Sequence, residues 1–233
     1  MGTVELLRAA GVGSGDEVIV PSYATAGPAE AVRDVGARPV FADIDPYSFC
    51  LDPASVAGAV TSRTAAIVPV HLFGHPADLA ALQAVADERG LRLIEHAPHE
   101  SEPEPESDDA VLRRRAHAAY LDARLSGVVT PAVAPGAVHR YRSYVVRVPG
   151  NGRPDRDAFA RALRGRGIGC RVPVQTPVHR LPAFRRELWL PETERAAGEC
   201  LALPVQAGMS PRELHRLVAV CNALGGLLPV AAA

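Results

Sequence analysis

Short apolar runs alternate with amphipathic stretches along the first hundred or so residues. The β-branched runs Glu17–Pro21, Pro39–Asp43, Ala65–Val70 and Arg92–Glu95 predict strands. Between them, apolar positions at helical spacing predict helices over Pro28–Val35, Pro53–Ala59 and Pro76–Arg89. Strand and helix in alternation predict a mostly parallel α/β sheet. The near-continuous apolar run Ala65-Ala66-Ile67-Val68-Pro69-Val70 suits a strand covered on both faces. Open sheets of this kind carry their sites beyond the carboxyl ends of the strands. Here those ends bring forward Ser22 and Tyr23, Asp43 and Asp45, His71 and Phe73, and Glu95 and His96.

The pattern breaks at Glu100–Asp109, ten residues holding six acids and two prolines with nothing apolar to bury. This segment reads as a linker. Beyond it come an Arg-rich helix Ala110–Arg124, a strand Ser143–Val148, a helix Arg156–Arg164, a strand Cys170–Pro173, and closing helices from Glu192 and Pro211. The expected organisation is a partial large α/β domain over 1–99, a linker over 100–109 and a small C-terminal α+β domain over 110–233.

Composition changes the picture in two ways. All 25 basic side chains among the 233 residues are arginine and none is lysine, so no side chain of this chain can form a Schiff base. The net charge of -1 also conceals a division: residues 1–110 carry 6 Arg against 18 acids (-12), and residues 111–233 carry 19 Arg against 8 acids (+11). That asymmetry predicts attraction between the halves, within one molecule or across a dimer, or an anion site in the second half. The arginines are not interleaved with aromatics and the overall charge is near zero, which argues against nucleic acid. Cys50, Cys170, Cys200 and Cys221 are widely spaced and form no CxxC pair, so they read as reduced, mostly buried thiols. With neither a leader-like segment nor a long apolar run, a cytoplasmic protein without membrane contact is expected.

Three blocks then make a specific resemblance. They are Gly13-Ser-Gly-Asp-Glu-Val-Ile-Val-Pro-Ser22, Ala37-Arg-Pro-Val-Phe-Ala-Asp-Ile-Asp-Pro46 and Val70-His-Leu-Phe-Gly-His-Pro-Ala-Asp78. The second half adds His139-Arg-Tyr-Arg-Ser-Tyr-Val-Val-Arg-Val148, Gly167-Ile-Gly-Cys-Arg171, Pro177-Val-His179 and Leu201-Ala-Leu-Pro204. In order and spacing the chain resembles the DegT/DnrJ/StrS sugar aminotransferases over nearly its whole length. The resemblance implies a truncated type I aminotransferase fold, like that of aspartate aminotransferase. It also implies a homodimer with its sites at the subunit interface and keto sugars on nucleotides as substrates.

Checked position by position, the cofactor residues of that family are mostly replaced. Its Ser-Gly-Thr phosphate turn survives only as Gly2 and Thr3. The aromatic that stacks on the pyridine ring falls at Thr25, and the Glu-Asp-Ala-Ala-Gln block reads Glu95-His96-Ala97-Pro98-His99. More than a hundred residues that would carry the Schiff-base lysine are replaced by the acidic linker. These losses predict that no cofactor is used and that pyridoxal phosphate does not bind.

What remains is a set of titratable groups. His96, His99, Glu95 and His71 are candidate acid/base residues, with His75 and Glu100 close in sequence, because imidazoles beside carboxylates titrate near neutrality. Each also has a plain structural reading as a hydrogen-bonded group at a strand end. The resemblance puts Arg171, His179, His139 and Tyr141 on the substrate side, Arg171 suiting a phosphate or carboxylate. A zinc reading of His96 and His99 is disfavoured, since Pro98 prevents a regular helix and the spacing fits no ligand signature. Gly11-Val-Gly13-Ser-Gly15 precedes a strand instead of following one, so it reads as a helix stop and not a dinucleotide loop.

Three functions follow as expectations. One is a pseudoenzyme or accessory subunit pairing with itself or a full-length paralogue; another is a cofactor-free isomerase, dehydratase or cyclase using the His/Glu groups. The third is a fragment that another chain complements for nucleotide-sugar transamination.

Overall fold

The computed structural model describes residues 2–96, 107–134, 136–149 and 155–225. His99, Glu100 and most of the expected linker lie outside them. The chain divides into two compact units.

The first unit holds residues 2–72, 76–96 and 176–194. Its elements are α1 (Thr3–Ala9), β1 (Glu17–Pro21), α2 (Gly27–Asp34), β2 (Arg38–Ala42), α3 (Pro53–Ala59), β3 (Thr64–Ile67), α4 (Leu79–Arg89) and β4 (Arg92–Leu93). The strands form one four-stranded sheet in the order β2-β1-β3-β4, every pair parallel. Side chains alternate along β1, so Val18 and Val20 face Leu7, Val32, Phe41 and Ala66 while Ile19 faces Ala42, Val56, Ile67 and Leu82. Both faces are therefore covered, which is why these strands are apolar throughout. Local signals set the helix ends: Asp52 and Asp78 accept backbone N–H groups at the starts of α3 and α4, and Gly90 closes α4 in the left-handed region at φ 66°.

The second unit holds residues 73–75, 107–175 and 195–225. It contains α5 (Asp108–Asp122), β5 (Tyr144–Arg147), α6 (Asp155–Gly165), β6 (Cys200–Leu203) and α8 (Pro211–Gly225), with β5 and β6 antiparallel. Leu121, Tyr144, Val146, Phe159, Leu163, Leu201 and Leu217 form its core. The remaining helix, α7 (Pro191–Glu199), begins in the first unit.

Several expectations differ from the structure. Residues 176–194, assigned by sequence to the small C-terminal domain, belong to the first unit, because Val178, Phe184 and Leu190 join its core. Helix α5 starts inside the acidic segment: the Ser107 hydroxyl accepts the Ala110 N–H at 3.2 Å, and Asp108 and Asp109 suit the positive end of the helix dipole. No strand forms over Cys170–Pro173. Only Arg171 bridges, to Ala202, and Pro173 has no N–H with which to extend the ladder. The strand β6 was missed because it follows α7 without any breaker residue.

All four cysteines are free thiols, Cys170 half-buried and the others buried. No helix of the described residues is long and apolar enough to cross a membrane.

Candidate functional site

Three clusters of side chains gather beyond the carboxyl ends of the first unit's strands. In the first, the Thr3 hydroxyl at the start of α1 meets His96 Nδ1 at 2.9 Å. His96 follows β4, its position fixed by its own N–H, which donates to the Pro69 carbonyl at 3.0 Å. Burial lowers the pKa of His96, so its ring is neutral at pH 7. Beside Thr3, the Gly2 N–H donates to the Glu5 carboxylate at 2.7 Å, which supplies the anion at that helix end from within the chain.

In the second cluster, His71 Nδ1 accepts the Ala77 N–H at 2.9 Å and Nε2 lies 2.7 Å from Glu95 Oε2. The Ala77 bond fixes the tautomer, so in the neutral ring Nε2 carries the hydrogen and donates it to Glu95. This pair stays open to solvent, with 39% and 56% of the two side chains exposed. His71 and Glu95, both among the expected acid/base candidates, are thus in direct contact, and His96 pairs with Thr3.

The third cluster joins residues that the sequence offered separately, Ser22 and Asp43 at strand ends and His179 as a substrate-side candidate. Ser22, just past β1, accepts the His179 backbone N–H at 3.0 Å, and its hydroxyl lies 2.7 Å from His179 Nδ1. His179 Nε2 in turn lies 3.0 Å from Glu194 Oε1, which also receives Arg180 at 2.6 Å. Ser22 and His179 are almost wholly buried, and burial lowers the His179 pKa although Glu194 opposes the shift. Next to them, the Asp43 carboxylate accepts N–H groups from Ile44, Glu192 and Thr193 at 2.8–2.9 Å. An aspartate at the end of β2 therefore caps α7, some 150 residues away in sequence. Its only signal in the sequence is an Asp at a strand end.

The other substrate-side candidates lie in the second unit. His139 Nδ1 accepts the Tyr141 N–H at 2.8 Å, and the two rings stack at 4.0 Å with Tyr141 in the left-handed region at φ 46°. The His75 ring meets His139 edge-on at 5.2 Å. Burial, helped by His75, brings the His139 pKa down to about 4. Arg171 donates to the Ser143 hydroxyl at 2.9 Å and remains exposed.

A parallel sheet covered on both faces, with these clusters beyond its strand ends, is an α/β fold, and its solved structural neighbours make it the fold of the pyridoxal phosphate aminotransferases. The family model described as "DegT/DnrJ/EryC1/StrS aminotransferase family" matches residues 2–101 and 106–222. The chain belongs to that family, one of sugar aminotransferases in natural-product biosynthesis. It is 31% identical to a pleiotropic regulatory protein of Geobacillus stearothermophilus, the match covering 85% of this chain and 76% of that protein. It is 58% identical over 89 residues to the erythromycin biosynthesis sensory transduction protein EryC1 of Saccharopolyspora erythraea, covering 38% of this chain and 24% of that one. In such shorter matches the chain spans about a quarter of its relative's length. Among solved structures, S. venezuelae DesV in complex with a ketimine intermediate superposes with TM-score 0.83 at 26% identity, covering 96% of this chain and 83% of DesV.

The expectation of no cofactor is corrected by these comparisons. The family and its structural neighbours are pyridoxal phosphate enzymes, and NtdA of Bacillus subtilis, alike in fold at 19% identity, was solved with pyridoxamine phosphate bound. The replaced positions misled because they were read one by one, whereas the surrounding fold is retained. Of the residues present, Thr3 and His96, at the positions that the resemblance gives to the phosphate turn and the ring partner, are held together by their own hydrogen bond, and the chain offers no lysine for the covalent part.

Proposed function

We propose that this chain is an accessory subunit of sugar or natural-product biosynthesis that completes a pyridoxal phosphate site together with a lysine-bearing member of its own family. The observation that carries this reading is a family fold retained over 96% of a chain without one lysine. When bound, the cofactor supplies the electron sink for moving an amino group. Thr3 and His96 would hold its non-covalent side, and neutral His96 would offer a hydrogen bond without adding charge. His71 and Glu95, tautomer-fixed and open to solvent, hold or pass a proton near the amino-acceptor. Ser22, His179 and Glu194 tie the end of β1 to the 176–194 segment. The substrate class is a keto sugar, free or attached to a nucleotide.

The test mixes the purified chain with a lysine-bearing family member and follows co-purification, the visible absorption of pyridoxal phosphate and amino transfer to a keto sugar. The chain alone should be inactive, and adding it should raise the partner's turnover. Transamination by the chain alone, or a partner that neither binds nor responds, would overturn the reading.

A further inference from the structure

At the amino-terminal ends of β1, β2 and β3, opposite the clusters described above, the first unit has a cavity of about 650 Å³. That is a size typical of small-molecule sites. Its wall includes five arginines, Arg33, Arg38, Arg63, Arg185 and Arg186. The set lies at the strand ends opposite the three clusters of the first unit.

The five are held in different ways. Arg38 and Arg63 both pair with the Glu17 carboxylate, which is 1% exposed. Thr61 adds a hydroxyl to it at 2.6 Å. Anchored through their buried partner, the two guanidiniums are pre-organised and still 44% and 63% exposed. Arg33 lies over the Phe184 ring at 4.8 Å, which gives one wall a flat, cationic face. Arg185 and Arg186 are exposed and make no ion pair among the described residues. The backbone between them and the core is pinned by the Arg186 N–H, which donates to the His179 carbonyl at 2.9 Å. Asp16, the acid in the wall, accepts the Gly13 N–H at 2.9 Å. Five arginines less Asp16 and Glu17 leave three positive charges facing a cavity larger than one phosphate needs.

We propose that this groove is a second ligand site, which takes a small molecule carrying a diphosphate group. Guanidinium forks match phosphate oxygens two at a time, and the excess positive charge suits a diphosphate better than a monocarboxylate. Arg185 and Arg186 close on the diphosphate, Arg38 and Arg63 supply the fixed side, and the Arg33 guanidinium, backed by the buried Phe184 ring, receives a flat organic portion. The site is independent of the reading above and stands whether or not the chain pairs with a lysine-bearing subunit.

Titration calorimetry at low salt on the full chain tests it, with inorganic pyrophosphate and adenosine diphosphate as probes. Both should bind the wild type. Arg185→Gln and Arg186→Gln should each weaken binding about tenfold. Because both side chains are exposed, thermal melts without ligand should be unchanged. Ala183→Glu, which puts a carboxylate on the same wall, should abolish binding. Tighter binding of adenosine diphosphate than pyrophosphate assigns the organic part to the Arg33 face; equal binding assigns recognition to the diphosphate alone. No binding by the wild type, equal binding by the Arg185/Arg186 double variant, or an equal response to sodium acetate at matched ionic strength would overturn the proposal.

Discussion

Glu17 shows how one residue can read as unremarkable in sequence and be decisive in structure. It opens β1 and is almost wholly buried. Burial raises its pKa, but the Thr61 hydroxyl and the Arg38 and Arg63 guanidiniums outweigh that and bring it down to about 2 from 4.5. A carboxyl with a depressed folded pKa stabilises above its unfolded pKa, and the gain is lost as pH falls from 4.5 towards 2. Glu17→Gln should therefore cost about 2 kcal/mol at neutral pH in urea unfolding and flatten the acid limb of the stability curve. His139 gives the same sign of linkage in a higher pH window. With its pKa at about 4 instead of 6.5, the folded state binds fewer protons than the unfolded one, so stability should rise with pH between those values. His139→Gln should remove that slope. The partners of Glu17 lie 21 to 46 residues away, so hydropathy could not announce them.

Helix and strand ends follow local chemistry where the cap is local and tertiary contacts where it is not. Asp52 and Asp78 stand next to the helices they cap, a local signal, although the helix expected from Pro76 in fact starts after Asp78. The α7 cap comes from Asp43, so Asp43→Ala should lower stability by about 1–2 kcal/mol, measured by chemical denaturation. The loop after β3 turns on Gly74 at φ 91°, where a Cβ would lie 2.8 Å from the Arg142 nitrogen. Gly74→Ala should thus destabilise by about 2 kcal/mol or more, with a melting shift to match. The family block containing that glycine was recognised from the sequence. The backbone of residues 140–142 that crowds it was not.

At the scale of the molecule, the division of the chain into 1–99 and 110–233 came from composition, and composition does not follow packing. Residues 176–194 return to the first unit and bring His179, Phe184, Arg185 and Arg186 with them. The sharp charge asymmetry of the two sequence halves is accordingly softened, since arginines from the second half line a groove in the first unit. The accessory-subunit reading belongs to this scale too. A complex with a lysine-bearing relative should elute together in size-exclusion chromatography and lose its transfer activity when the relative's lysine is replaced.

The sequence by itself determined the alternation of strand and helix, the parallel sheet, the family and the absence of an amine for a Schiff base. Those properties depend on residue type and local order. Tertiary structure decided that His71 faces Glu95, that His96 faces Thr3, that Ser22 and Glu194 hold His179, and that five arginines share one groove. It could only do so after folding, because each of these arrangements joins residues tens to more than a hundred positions apart, and only the packed strands and helices bring them within hydrogen-bond reach.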